Sequence, residues 1–317
     1  MEAEAVDNST VQQAGRDIYN GPTLVQIIET IDYQIEKRVP ELLLIHGPQL
    51  IEVENQKVQA EIHEFKQSIN TMLESKLDSS NNSDQEAIKI LSKVTDANFQ
   101  YLFHEGLKNV IRRKENSSKE LLIELLSKKL DSDEADDNSY ILDDAIETLS
   151  NLSKNQINFL GFMNSIRNLS CSINWQGSVY NSFDFIDCLH RKGLSQEQIN
   201  TLQKDSYALY LKWLNRLIEY FMNTSPAKID IDYLVSKGVL FTETKSFSLK
   251  NSDLILQHLY GTKNFNNLDK DIKVLVPRLY ELLKHYGFED VDKLPAFSSK
   301  GTIIGDIIFK KWVKNPL

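Results

Sequence analysis

Glycine and proline are scarce in this chain, at 12 and 7 of 317 residues. That composition excludes collagen-like repeats and weakens any all-β architecture built on frequent tight turns. Cysteine is scarcer still, with only Cys171 and Cys188. Two thiols outside any C-x-x-C spacing make no disulfide scaffold, and they read as buried thiols in a reducing compartment. Long apolar runs are also missing. The longest dense one, Leu42 to Ile45, falls far short of the ~20 residues that cross a bilayer. The acidic opening Met1-Glu2-Ala3-Glu4 has none of the basic character of a secretory signal. The expectation is a cytoplasmic protein without membrane contact. Basic residues are outnumbered, 36 Lys+Arg against 45 Asp+Glu for a net charge of −9. This balance argues against a surface given over to nucleic acid, while leaving room for a local basic patch.

What the chain does have is apolar periodicity. Residues 1–22 stand apart as a flexible tag, small, polar and turn-prone around Val11, Ile18 and Tyr19. Leu24, Ile27, Ile28, Ile31, Ile35 and Val39 then recur at intervals of three and four, one apolar helix face that Pro40 ends or kinks. Beyond Gly47-Pro48, Val58, Ile62, Phe65, Ile69, Met72/Leu73 and Leu77 form a nearly heptad stripe, so residues 23–77 are expected to form long helices in a coiled-coil-like hairpin. A polar linker, Asp78 to Asn82, leads to the first of three cap signatures: Ser83 with Glu86, Ser153 with Gln156, and Ser195 with Gln198. Further helices are expected near 97–113, 119–130 and 140–152, making 84–225 a helical bundle.

From residue 226 to 317 the pattern changes. Tyr233 to Gly238 reads as a short helix closed by a C′ glycine, followed by the β-prone Val239-Leu240-Phe241 and Phe247-Ser248-Leu249 and then the stripe Leu254, Ile255, Leu259. Helix, hairpin and helix in that order predict a winged-helix-like module at 226–262. Pro277 either kinks the helical stretch 268–286 or starts a second helix. The fold class expected is therefore mainly α, a multi-helix bundle with a small C-terminal winged-helix-like α+β module.

No constellation for bond-making emerges, so no enzyme activity and no cofactor are expected. The acidic stretch Asp131 to Asn138 lacks the Gly and terminal Glu of a calcium loop. Lys300-Gly301-Thr302 has Lys on the wrong side of Gly for a phosphate loop, and Ala296 stands where a glycine is needed. The histidines at 46, 63, 104, 190, 258 and 285 never fall at i, i+3 or i+4, so no helix presents a metal-ligand pair. His63-Glu64 and His104-Glu105 place neighbours about 100° apart on a helix, and the side chains of Cys188-Leu189-His190 likewise point apart, aimed at different points. Arg112-Arg113-Lys114 fits a helix C-terminus, where cations oppose the dipole. The aromatic stripe Tyr207, Tyr210, Trp213, Tyr220, Phe221 reads as core.

The opening Asp7-Asn8-Ser9-Thr10 followed by Gln13-Ala14-Gly15-Arg16-Asp17-Ile18 resembles that of a group of uncharacterised bacterial proteins similar to abortive-infection and other phage-conflict (Abi-alpha-like) proteins. Asp143 to Leu160 and Ser298 to Gly305 extend the likeness. The resemblance implies a part in bacterial defence and brings no catalytic residues with it. Independently of it, Gly15, Arg16, Asp17, Ile18 and Tyr19 compose a β-prone segment that cannot stand alone in water but can add to a sheet edge of a partner or of another copy. The expected function is non-enzymatic protein interaction or self-association, with a nucleic-acid-binding regulator acting through 226–262 as the alternative.

Overall fold

A computed structural model describes residues 28–38, 52–79, 84–113, 116–132, 136–169, 172–175, 178–181, 194–241, 250–260 and 271–314. Of these residues 83% are helical, and the strands make two small two-stranded sheets. The protein is mainly α. The chain divides into two compact units, residues 1–151 and 152–317, a boundary that falls inside the 84–225 stretch. The division also separates charge. Of the 45 acidic and 36 basic residues, 29 and 15 lie in 1–151, a balance of −14; the remaining 16 and 21 leave 152–317 at +5.

The first unit contains α1 (28–38), α2 (Glu52–Ser79), α3 (Asp84–Thr95), α4 (Ala97–Arg113), α5 (Asn116–Asp131) and α6 (Asp137–Leu149). The near-heptad stripe of α2 does go inward, with Ile62, Phe65, Ile69 and Leu73 all buried. Its partner is α4, the hub of the unit, which packs against α2, α3, α5 and α6. The rings of Phe65 and Phe103 lie 5.8 Å apart across that contact. Where α4 meets α5, a β-carbon on Gly106 would come within 2.6 Å of Leu122, so the two helices approach closely.

Three buried lysines tie these helices together. Lys93 of α3 donates to the carbonyls of Leu130, at 2.8 Å, and Ser132, which the end of α5 leaves without intrahelical partners. Lys129 reaches Ser139 Oγ at 2.6 Å and Asp143 at 2.6 Å. Lys119 lies between Glu61 and Glu64 of α2, at 2.9 and 2.5 Å. Burial works against the Lys119 ammonium, but the two carboxylates outweigh it and hold its pKa above the ordinary lysine value. The hydrogen bond from Lys119, followed by its charge, in turn holds Glu64 below the usual carboxylate range. The acidic loop serves the same bundle: Asp131 pairs with Lys76 at 2.5 Å, and Asp136 caps α6 by accepting from the Asn138 amide.

The second unit runs α7 (Lys154–Asn168), β1 (Ser172–Trp175), β2 (Ser178–Asn181), α8 (Gln196–Met222), α9 (Ile231–Ser236), β3 (Leu240–Phe241), α10 (Asn251–Tyr260), α11 (Ile272–Leu275), α12 (Pro277–Tyr286), a 3-10 turn at Val291–Lys293, β4 (Ala296–Phe297) and α13 (Ser299–Lys314). Both α7 and α8 begin with complete capping boxes at Ser153/Gln156 and Ser195/Gln198, as their sequences predict. Every residue from Ile157 to Ile166 is buried, which makes α7 the core rod. Helix α13 lies along it with Gly161 and Gly305 at the contact. Phe159, Phe162, Phe221 and Tyr286 fill the space beside α7 with ring centroids 5.1 to 5.7 Å apart. Of the aromatic stripe on α8, Tyr210 and Phe221 are fully buried, while Trp213 is half-buried edge-on against Trp312.

Pro277 starts α12 instead of kinking a longer helix, in keeping with its fixed φ and missing amide hydrogen. Gly238 closes α9 with φ +64, as expected of a C′ glycine. The strand that follows, β3, pairs antiparallel with β4, Leu240 opposite Phe297 and Phe241 opposite Ala296. The second arm expected for a hairpin, Phe247 to Leu249, lies outside the described residues, as do the tag 1–22, Ser83, Cys171 and Cys188.

Candidate functional site

Helix α4 buries Phe99, Leu102, Phe103, Gly106, Leu107 and Asn109 among its neighbours. The opposite stripe, Ala97, Gln100, Tyr101, His104, Glu105 and Lys108, remains at least partly open, at the three- and four-residue spacing of one helix face. Tyr101 is the most prominent member, with 52% of its surface exposed. It stands on a ridge between two depressions and lines both.

On one side is a mainly apolar groove of about 330 Å³, where α4 presents Phe99, Phe103 and His104 opposite Ile31, Gln34 and Arg38 of α1 and Val94 of α3. On the other side is a polar cleft of about 600 Å³ lined by Tyr101, Glu105, Lys108, Asn109, Glu147, Ser150 and Asn151. Both volumes lie within the range of roughly 300–1,000 Å³ typical of ligand pockets. His104 and Glu105, neighbours in sequence, thus face different depressions, as the ~100° turn between adjacent helical residues requires.

The chemistry of the polar cleft comes from two helix segments. Glu105 and Lys108 of α4 pair at 3.5 Å across one turn. The other wall is the end of α6, where Ser150 Oγ and the Asn151 amide both donate to the Glu147 carbonyl, at 2.7 and 3.3 Å. The last turn of α6 contains no basic residue and carries Glu147, so a carboxylate sits where the helix dipole is already negative. Asn109 is only 6% exposed and lines the cleft.

The second unit holds a different polar cluster, buried between α8 and α10. His258 stacks on Tyr210 at 5.0 Å and 19°, with Ser206 and Gln257 also buried on these helices. Desolvation drives the His258 pKa down to about 4, so the imidazole is neutral near pH 7. Arg167 is held by Asn251 Oδ1 at 3.3 Å and the Pro295 carbonyl at 2.9 Å, over the Phe297 ring. Its guanidinium is shifted down by desolvation.

The segment Gly15, Arg16, Asp17, Ile18 and Tyr19, singled out by sequence, lies outside the described residues. Lys300-Gly301-Thr302 forms the first turn of α13, with Ser298 Oγ accepting from the Gly301 amide at 3.2 Å. The basic tract does fall at the end of α4, which stops at Arg113. Among the described residues no group of three or more His, Cys, Asp or Glu is placed to hold a metal ion, and no helix is long and apolar enough to cross a membrane. Sequence reasoning missed the cleft. The i, i+4, i+7 run Tyr101, Glu105, Lys108 was visible, but its facing wall, Glu147 to Asn151, lies some forty residues away in the chain.

One protein-family model matches residues 47–195. The match spans slightly less than half of the chain and runs across both units. No curated protein and no solved structure matches the chain.

Proposed function

We propose that this chain is a non-enzymatic, cytoplasmic interaction protein, a regulatory or sensing component of the kind its resemblance to phage-conflict proteins implies. The observation that carries the reading is the Tyr101 ridge. An exposed aromatic between an apolar groove and a polar cleft has the composition of a protein-binding anchor, in which aromatic residues dominate the energetics. Tyr140, exposed on α6 one heptad before Glu147, adds a second aromatic to the same unit. The neutral, stacked His258 supports a packing role more than proton transfer.

The test is light scattering and affinity capture with the full chain, with a chain lacking residues 1–22, and with Tyr101→Ala. A defined complex, with itself or with a partner from phage-infected cells, that Tyr101→Ala weakens at least tenfold is the expected result. A strict monomer without partners in every form overturns the reading.

A second reading is favoured by the charge split. The +5 unit carries the helix and strand of the expected winged-helix module, with Lys237 over Tyr233 and Lys300 beside Gly238. As a nucleic-acid-binding regulator it would hold duplex with a steep salt dependence, because contacts to phosphates release counterions. Absence of binding at low salt removes this reading.

A further inference from the structure

We draw no further inference here: the strongest candidate, the apolar groove of about 330 Å³ that α1, α3 and α4 form beside the exposed Tyr101, carries nothing because nothing among the described residues shows what covers it.

Discussion

Gly161 and Ile308 meet where nothing larger than a hydrogen fits: a β-carbon on Gly161 would lie 2.2 Å from Ile308 Cγ2 and 2.8 Å from its Cβ. Gly305 repeats the relationship one turn away, where its missing side chain makes room for the Leu160 carbonyl and Asn164. Helices α7 and α13 are thus held at a separation that only glycine permits at these two points, and α13 covers one face of a helix whose residues Ile157 to Ile166 are all buried.

Replacing Gly161 with Ala should therefore destabilise the chain despite the better helix propensity of alanine, by about 1–3 kcal/mol, the usual cost of overpacking a filled core. Urea unfolding measures it. Combining Gly161→Ala with Ile308→Ala should cost less than the sum of the two single changes, because the second removes the methyl group that the first would strike. Strict additivity would show that the helices simply move apart.

Lys129 and Asp143 form a nearly buried pair at 2.6 Å in the acidic unit, and Asp143 accepts a further hydrogen bond from Asn98 Nδ2 at 2.8 Å. Removing one charge leaves the other stranded in a poorly solvated site, a loss of roughly 3–5 kcal/mol for a fully buried pair. Asp143→Asn should approach the lower figure, since Lys129 keeps Ser139 Oγ. The double variant Lys129→Met, Asp143→Asn should recover much of that loss, because no charge then remains buried. Thermal or urea unfolding of the unsubstituted chain and the two variants decides the point.

The architecture was legible in the sequence where local chemistry is self-sufficient. Ser153 with Gln156 and Ser195 with Gln198 form the capping boxes their letters spell, Gly238 takes the left-handed turn, and α4 spans the expected 97–113. Such features need only a few neighbouring residues. The pairing of β3 with β4 joins residues more than fifty apart, and nothing in Leu240-Phe241 or Ala296-Phe297 names its partner. The polar cleft was hidden for the same reason, with one wall on α4 and the other at the end of α6. The buried lysines defeated sequence reading differently. Lys93, Lys119 and Lys129 look like solvent-facing positions, and only the carbonyls and carboxylates of other helices explain their burial.

The His258 imidazole gives the fold a pH dependence whose direction follows from its burial. Its pKa is about 4 in the folded chain against about 6.5 when unfolded. Between those values the unfolded chain binds the extra proton, so stability is fully present above pH 6.5 and falls as the pH drops toward 4. The loss attributable to this residue is on the order of 3 kcal/mol, taking 1.36 kcal/mol per pH unit. Unfolding free energies measured across pH 4 to 7.5 should show that slope, and His258→Gln should flatten it. An unchanged slope in the variant would assign the dependence to other groups.

Gly238 joins two parts of the second unit, and its replacement should be felt beyond its own turn. At φ +64 it lets the Val239 amide reach back to the Leu234 carbonyl at 3.0 Å while its own amide donates to Val235 at 2.8 Å, the paired bonds of a helix-ending glycine motif. This turn delivers the Val239 carbonyl to the amide and the hydroxyl of Ser298, both at 3.0 Å. Ser298 in turn caps the first turn of α13 through the Gly301 amide. A β-carbon at 238 is strained by the backbone conformation and would also press on the Lys300 side chain at 3.2 Å. Gly238→Ala should cost about 1–2 kcal/mol, and Gly238→Asn less, because asparagine tolerates the left-handed region better. Hydrogen exchange should show the Ser298 and Gly301 amides losing protection in Gly238→Ala, alongside Val239. Loss confined to Val239 would mean that the turn and the start of α13 are independent.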